Sequence, residues 1–106
     1  MAEDRTGQIV VLFISERSGM DAEGYDAAAT RMDALAAEQP GYHGVDHVSD
    51  GSLGITLSYW ADEESAVAWR QQPEHTLARE AGRGRWYIWY ALHVAEIGRS
   101  YGWRRA

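Results

Sequence analysis

The chain has 106 residues, no cysteine, 45% hydrophobic residues and a formal net charge of −6. This size fits one globular domain, the absence of cysteine excludes disulfides and thiolate chemistry, and the acidic balance argues against nucleic-acid binding, which needs dense positive charge. No stretch approaches the roughly 20 apolar residues of a membrane span, and no signal-peptide pattern is present, so we expect a single cytoplasmic domain that does not enter a membrane.

The first part of the chain predicts a strand followed by a helix. Residues 8–16 (QIVVLFISE) are β-branched and apolar on both faces, as in a strand that is covered on both sides. Asp21 then caps a helix that runs to about Gln39, with apolar residues three and four positions apart. Pro40-Gly41 ends this helix.

A β-hairpin is predicted next. Residues 42–50 (YHGVDHVSD) are typical of a short strand, and residues 52–60 (SLGITLSYW) form the return strand. The Asp50-Gly51 pair between them is a strong hairpin-turn signal.

The last part predicts a second helical stretch and a final strand. Asp62 caps a helix with acidic residues in its first turn. Pro73 interrupts this helix, and a new segment restarts at the proline, which a first helical turn tolerates. Gly82 and Gly84 are expected to end that segment, and residues 86–97 form a strand that is apolar on both faces.

The β-α-β-β-α-β order is that of a ferredoxin-like α+β fold, with an antiparallel sheet and both helices on one face. The whole chain is then one domain, with a core over about residues 8–97 and a C-terminal tail over 98–106. The second sheet face should be polar in a monomer, but the first and last strands are apolar on both sides. In the last strand we expect one face to carry Ile88, Tyr90, Leu92 and Val94, and the other to carry Tyr87, Trp89, Ala91 and His93. This pattern predicts a homodimer in which two sheets pack face to face.

Positive charge is concentrated near the end of the chain. Residues 1–69 contain 13 acids and 3 bases, a balance of −10, whereas residues 70–106 contain 3 acids and 7 bases, a balance of +4. So short a basic segment suits a small anionic or phenolic ligand better than a nucleic acid.

His75 is the strongest candidate for acid–base chemistry in this segment. On a helix, His75, Arg79 and Arg83 share one face, with small residues between them. An ordinary imidazole pKa of ~6.5 permits proton transfer in both directions near neutrality. Arg79, one turn away, would hold an oxyanion and lower the pKa of His75. The alternative is a solvated surface face with no chemical role.

Other candidate sites are weaker. Trp60 and Trp69 are either core anchors or the walls of a pocket. The remaining histidines have no spacing diagnostic of a metal site, so no metal is expected. The sequence also lacks a glycine-rich phosphate loop, a nucleophile elbow, and flavin and nicotinamide fingerprints.

The second half of the chain resembles the antibiotic biosynthesis monooxygenase (ABM) family of the dimeric α+β barrel superfamily. The QPGYHGVDHVSD stretch and the ending VAEIGRSYG are similar to family elements. The other matching residues are Tyr59-Trp60, Glu64, Ala68-Trp69, Glu74-His75, Ala78 and Gly82-Arg83. The resemblance spans roughly residues 8–103, and it is most specific in the late block.

Membership would imply a dimer with a pocket between the sheet and the helices of each subunit. Some members oxidise aromatic polyketides with O2 and no cofactor, and others bind and degrade haem. This chain departs from both patterns. Arg79 stands where haem-degrading members have their iron-ligating histidine, and residues 14–16 lack their asparagine. Ser65 stands where quinone-forming members have an asparagine before the helix tryptophan.

These observations predict a cofactor-free monooxygenase that acts on a small planar phenolic or quinone-type aromatic compound. The expected catalytic residues are His75 and Arg79, and the expected substrate-binding residues are Trp69, Trp60, Tyr59 and Arg83. Two alternatives stay open: a haem-binding or haem-degrading monooxygenase, and a dimer without catalytic activity that binds a ligand or is purely structural. Whether the protein is an enzyme at all is therefore not decided by its sequence.

Overall fold

The structure, a computed structural model, describes residues 4–106. It contains the predicted β-α-β-β-α-β order, with the second helical stretch divided into two helices and a π-helical turn. The elements are β1 (Ile9–Arg17), α1 (Ala22–Ala37), β2 (Tyr42–Asp50), β3 (Leu53–Trp60), α2 (Glu63–Gln71), α3 (Pro73–Ala81), the π-helical turn (Gly82–Trp86) and β4 (Tyr87–Glu96).

The four strands form one sheet in the order β2-β3-β1-β4, and every neighbouring pair is antiparallel. This is the strand order of the ferredoxin-like fold, so the predicted α+β class is confirmed. β1 lies in the middle of the sheet, where Val10 is opposite both Tyr59 of β3 and Ala95 of β4.

The helices cover one face of this sheet. Trp60, at the end of β3, is wholly buried there with Ala36 of α1 and Ala66 of α2. Half-buried side chains surround this cluster: Ile9, Val11, Tyr42 and Trp69. The core therefore sits where α1 and α2 cross the carboxyl end of β3.

The opposite sheet face has no helix over it in the described part of the chain. Strand alternation places Leu12, Ile14 and Ile55 on this face. Val48 and Trp89, also on this side, are 60% and 43% exposed. An apolar sheet face left open in one protomer is what the sequence predicted for a dimer that packs sheet on sheet.

Two predicted helix caps are confirmed. Asp21 accepts a hydrogen bond from the Gly24 N–H at 3.2 Å, and Asp62 accepts one from the Ser65 N–H at 2.8 Å. Asp21 also accepts from the Trp86 indole N–H at 3.2 Å. The same carboxylate thus ties the start of α1 to the π-helical turn, and these bonds hold its pKa below its usual range.

The prediction that Gly82 and Gly84 end the helix is confirmed for α3, which ends at Ala81 with Gly82 as its C-cap, but it did not include the π-helical turn that follows. The chain continues from Ala81 into the π-helical turn and becomes extended only at Tyr87. Gly82 keeps helical dihedrals (φ −59°, ψ −47°), and it is buried. A Cβ atom there would lie 2.7 Å from the Tyr87 ring. Glycine is therefore needed at this position for the close approach of that ring rather than for a left-handed cap conformation.

The predicted alternation along β4 was wrong at its start. The pairing with β1 shifts between Glu16, which is opposite Trp89, and Arg17, which is opposite Tyr87. Ile88 is therefore an extra residue, a β-bulge. Tyr87 consequently lies on the helix-covered face together with Tyr90, and the regular alternation holds only from Trp89 onward.

The tail after β4, residues 98–106, forms neither helix nor strand. The Ser100 hydroxyl accepts a hydrogen bond from the Arg5 N–H at 3.0 Å. Among the described residues, no helix combines the length and apolarity needed to cross a membrane.

Candidate functional site

The junction between α2 and α3 holds the strongest candidate for chemistry. His75 lies in the first turn of α3, where its backbone N–H donates to the Gln72 side chain at 3.0 Å. Its imidazole stacks on the Trp69 indole of α2, with centroids 4.3 Å apart and planes at 20°. The imidazole is therefore held half-buried against an aromatic wall.

The hydrogen bonding of His75 defines its tautomer. Nδ1 lies 2.9 Å from the Trp69 carbonyl oxygen. Because a carbonyl only accepts, Nδ1 must carry the proton of the neutral ring. Nε2 then carries a lone pair, and it has no protein hydrogen-bond partner within residues 4–106. This is the state that a general base requires.

The environment of His75 favours the neutral ring. Burial lowers the pKa of His75, and the positive charges of Arg79 and Arg70 lower it further, whereas the hydrogen bond to the Trp69 carbonyl acts in the opposite direction. The predicted effect of Arg79 is confirmed in sign. Burial, the larger cause, could not be anticipated from helix spacing.

Arg79 lies one turn beyond His75, as the sequence predicted. Its Nη1 donates to the Arg70 carbonyl at 3.1 Å. Its Nε is buried and has no acceptor among the described residues. A buried N–H without a partner is destabilising.

The two tryptophans form a stack with His75. The Trp60 and Trp69 rings lie 6.0 Å apart at 24°. Trp60 has 0% exposure, and its indole N–H is bonded to the Ser58 hydroxyl at 3.0 Å. Trp69 is only half-buried. Of the two proposed substrate-binding tryptophans, Trp69 is the one that a ligand can reach, whereas Trp60 supports it from below.

The structure separates Tyr59 from the other proposed site residues. Tyr59 points to the open sheet face, where its hydroxyl donates to Asp46 at 2.7 Å. The Arg5 guanidinium lies 3.8 Å from the centre of its ring. The sheet thus stands between Tyr59 and His75.

Arg83 is in the π-helical turn rather than on the regular face of α3. Its Nε donates to the Tyr90 hydroxyl at 2.7 Å, and its side chain is exposed. The predicted site residues therefore divide into a compact group of His75, Arg79 and Trp69, with Arg83 farther along toward β4.

An apolar strip on the helix-covered face of β4 was not identified from the sequence as part of a site. Leu92 and Val94 lie opposite Phe13 and Val11 of β1, yet they are 46% and 52% exposed. The helices thus leave this strip open, because α3 packs mainly on α1, α2 and the π-helical turn. The signal was present in the alternation of β4, but the sequence does not reveal which strand the helices leave uncovered.

The described residues form grooves on the helical side. A groove of about 280 Å³ is lined by Trp69 together with Gln39, Pro40, Asp62, Glu64, Ser65 and Ala68. A second cavity, of about 190 Å³, lies near Tyr25 and Trp86. His75 lines neither of them. Residues 4–106 contain no cluster of three or more His, Asp or Glu side chains that could hold a metal ion.

Comparison with known sequences identifies relatives of this chain. The sequence model for antibiotic biosynthesis monooxygenases matches residues 8–81. The protein YqjZ of Bacillus subtilis (strain 168), described as uncharacterized, is 46% identical over 91 residues, which is 85% of this chain and 79% of YqjZ.

Solved structures share the fold. SnoaB from Streptomyces nogalater, a cofactor-independent oxygenase, superposes with a TM-score of 0.72 at 15% identity over 95% of this chain and 97% of its own. A conserved protein from Methanosarcina mazei superposes with a TM-score of 0.78 at 8% identity over 88% of this chain and 95% of its own. At these identities the likeness is one of fold.

Proposed function

Because the chain belongs to the antibiotic biosynthesis monooxygenase family, we propose that it is a cofactor-free monooxygenase acting on a small planar phenolic or quinone-type compound. Triplet O2 reacts slowly with closed-shell molecules, so such an enzyme must make its substrate electron-rich by deprotonation. That task needs a base, a group that stabilises the anion, and an aromatic environment with little water. The described activity of SnoaB supports the same class of reaction.

The observation that carries this proposal is the state of His75. Its Nδ1–H is bonded to a backbone carbonyl, and burial lowers its pKa. The unpartnered Nε2 would therefore accept a phenolic proton near neutral pH. The stacking of the ring on the Trp69 indole, with centroids 4.3 Å apart, also removes part of it from solvent.

Arg79 and Trp69 complete the proposed machinery. The phenolate formed by His75 would take a hydrogen bond from the unpartnered Arg79 Nε. The accessible part of the half-buried Trp69 and the apolar strip of Leu92 and Val94 would contact the flat ring. Arg83, which is bonded to Tyr90, would flank the entrance.

The reaction balances without an external reductant if the phenolic substrate carries a ring CH2 group. O2 supplies one oxygen atom to a new carbonyl at this carbon. The second oxygen leaves as water with the two hydrogens of the CH2 group. The substrate thus provides all four electrons, and the protein only moves protons and stabilises charge.

We also propose that the protein acts as a homodimer. The open sheet face supports this, since Leu12, Ile14 and Ile55 lie there without cover from residues 4–106 of the same protomer. A second sheet packed on it, about 10 Å away, would bury these side chains. Tyr59 would then belong to the subunit interface rather than to the substrate site.

Oxygen uptake with a panel of anthrone-like and hydroquinone compounds tests the proposed activity. His75→Ala should lower turnover of an accepted substrate roughly 10²–10⁴-fold, the usual contribution of a positioned base. His43→Ala, on the exposed side of the edge strand β2, is the matched control and should retain full turnover. If His75→Ala oxidises the substrate as fast as the wild type, His75 is not the base.

The proposed role of Arg79 in stabilising the phenolate is tested by measuring ligand binding. Arg79→Ala should weaken binding of the phenolate form of a ligand more than binding of a neutral analogue, because only the anion gains from the guanidinium. Calorimetry at a pH above and below the phenol pKa separates the two. An equal loss for both forms would indicate that Arg79 only supports the shape of the site.

Haem is the alternative ligand, and the donor chemistry of His75 fits it, since Nε2 is available to an iron. Haem would supply oxygen activation at the iron, and His75 would hold it. A hemin titration that gives a sharp Soret band, lost in His75→Ala, would replace the cofactor-free proposal. Ligand binding without oxygen uptake across the whole panel would instead favour a binding protein without catalytic activity.

A further inference from the structure

The break between α2 and α3 leaves an unusual acceptor beside His75. In a continuous helix, the Trp69 carbonyl would receive the N–H of residue 73, but Pro73 has no N–H. Gln72 is extended at this point (ψ 130°), and its N–H reaches the Trp69 carbonyl at 3.1 Å. The second lone pair of that oxygen is taken by His75 Nδ1 at 2.9 Å.

The Arg70 carbonyl also lacks the donor that it would have in a continuous helix. In a continuous helix this carbonyl would accept a hydrogen bond from the Glu74 N–H. The extended conformation of Gln72 moves Glu74 out of that position. The Arg70 carbonyl accepts instead from Arg79 Nη1 at 3.1 Å. Two carbonyls at the C-terminal end of α2 therefore hold the two candidate catalytic side chains of α3. Carbonyls without helical donors at a helix end also carry the negative end of the helix dipole, which favours such donors.

We propose that Pro73 is a positioning residue for His75: by denying the Trp69 carbonyl its helical donor, it reserves this acceptor for Nδ1 and fixes the tautomer that leaves Nε2 free. Gln72 assists, because its side chain accepts from the His75 N–H at 3.0 Å and so sets the position of the first turn of α3. The inference rests on the proposed function only in assigning Nε2 the task of a base. The tautomer itself is a property of the resting protein.

Nitrogen NMR of imidazole-labelled protein reads the tautomer directly. The chain has four histidines, and His75→Gln identifies the signal of His75. In the wild type above the pKa of His75, we expect the Nδ1–H form to dominate. Pro73→Ala restores a backbone N–H that can compete for the Trp69 carbonyl. The ratio of the two tautomers should then move toward Nε2–H by roughly fivefold to tenfold, the factor that one neutral hydrogen bond supplies.

Pro40→Ala is the matched control. Pro40 is the other proline of the chain and lies after α1, so its loss leaves the Trp69 carbonyl without a new helical donor and should leave the tautomer ratio unchanged. Amide exchange gives a second readout, because residue 73 of Pro73→Ala should show a protected N–H if it has joined the helix.

Two results would overturn the inference. One is a wild-type His75 that is mainly Nε2–H, a result that does not depend on whether any variant folds. The other is a folded Pro73→Ala protein with a protected N–H at residue 73 and an unchanged Nδ1–H signal. If the tautomer responds as expected while no compound in the oxygen-uptake panel is oxidised, the positioning role of Pro73 stands and the proposed function fails.

Discussion

Tyr59 and Trp60 are consecutive residues of β3 whose side chains lie on opposite faces of the sheet. The Tyr59 hydroxyl donates to Asp46 on the open face, whereas the Trp60 indole is wholly buried beneath the helices. The two faces thus differ, since one closes the core of the protomer and the other is open and would meet the second subunit in the proposed homodimer. Substitutions on the two faces should therefore have different effects.

Trp60→Ala should destabilise the protomer strongly. Removing a fully buried tryptophan loses its apolar contacts and leaves a cavity beside Ala36 and Ala66, which typically costs about 3–5 kcal/mol. Urea unfolding followed by circular dichroism measures the loss. Trp103→Ala, at a position 76% exposed in the tail, should stay within about 0.5 kcal/mol of the wild type. A loss below about 1 kcal/mol for Trp60→Ala would contradict the assigned core.

Ile55→Lys should convert the proposed dimer into a monomer. Ile55 lies on the open face opposite Ile14 and Val48, where a buried, unpaired ammonium group is strongly unfavourable. Sedimentation at micromolar concentration gives the mass. Leu77→Lys, on α3 and 66% exposed, is the control and should remain dimeric. A wild-type protein that sediments as a monomer would refute the sheet-on-sheet assembly itself.

The free energy of unfolding should fall as the pH is lowered from 7 to 5. Burial depresses the pKa of His75 in the folded protein, so the unfolded chain takes up a proton first. The stability is complete above the unfolded pKa of ~6.5, declines as the pH falls through that value, and levels off below the folded pKa. Urea unfolding at several pH values measures the slope. His75→Gln should reduce the slope in this window, whereas an unchanged slope would place His75 in contact with bulk water.

Gly24→Ala should lower the melting temperature, although alanine normally favours a helix over glycine. A Cβ atom at position 24 would lie 2.1 Å from the Asp21 carboxylate, so the cap of α1 would have to open. We expect a decrease of a few °C, roughly the scale on which small domains respond to the loss of a cap. Gly98→Ala, where a Cβ would meet nothing within 4 Å, should show no decrease. An increase for Gly24→Ala would mean that the cap does not form.

The elements and caps of this fold were predictable because they depend on local signals. Asp21, Asp62 and the Asp50-Gly51 turn each act within a few residues of themselves, and the structure contains all three features. The bulge at Ile88 was not predictable, because it depends on how β4 pairs with Arg17 of the neighbouring strand. The role of Gly82 likewise depends on the ring of Tyr87, which reaches it only after β4 has joined the sheet.

The candidate site was predictable in part. Helix periodicity placed His75 and Arg79 together, but it could not show that backbone carbonyls of α2 would hold them, since this requires knowing how two helices meet at Pro73. Strand alternation alone predicts that the side chains of Tyr59 and Trp60 point to opposite faces of the sheet. The prediction that both residues belong to one substrate site conflicts with this alternation.

The bulge at Ile88 places Tyr87 and Trp89, which are two residues apart, on opposite faces of the sheet. Before it, Trp86 and Tyr87 face Tyr25 of α1, and after it Trp89 faces the open side of the sheet, where its indole N–H donates to Glu16 at 3.0 Å. Because consecutive side chains of a strand alternate, deletion of Ile88 would leave Tyr87 and Trp89 on opposite faces and would turn the bulge into a regular ladder. A one-residue deletion should therefore be tolerated at Ile88, whereas a deletion between Ala91 and Ala95 would move side chains of β4 to the wrong face of the sheet.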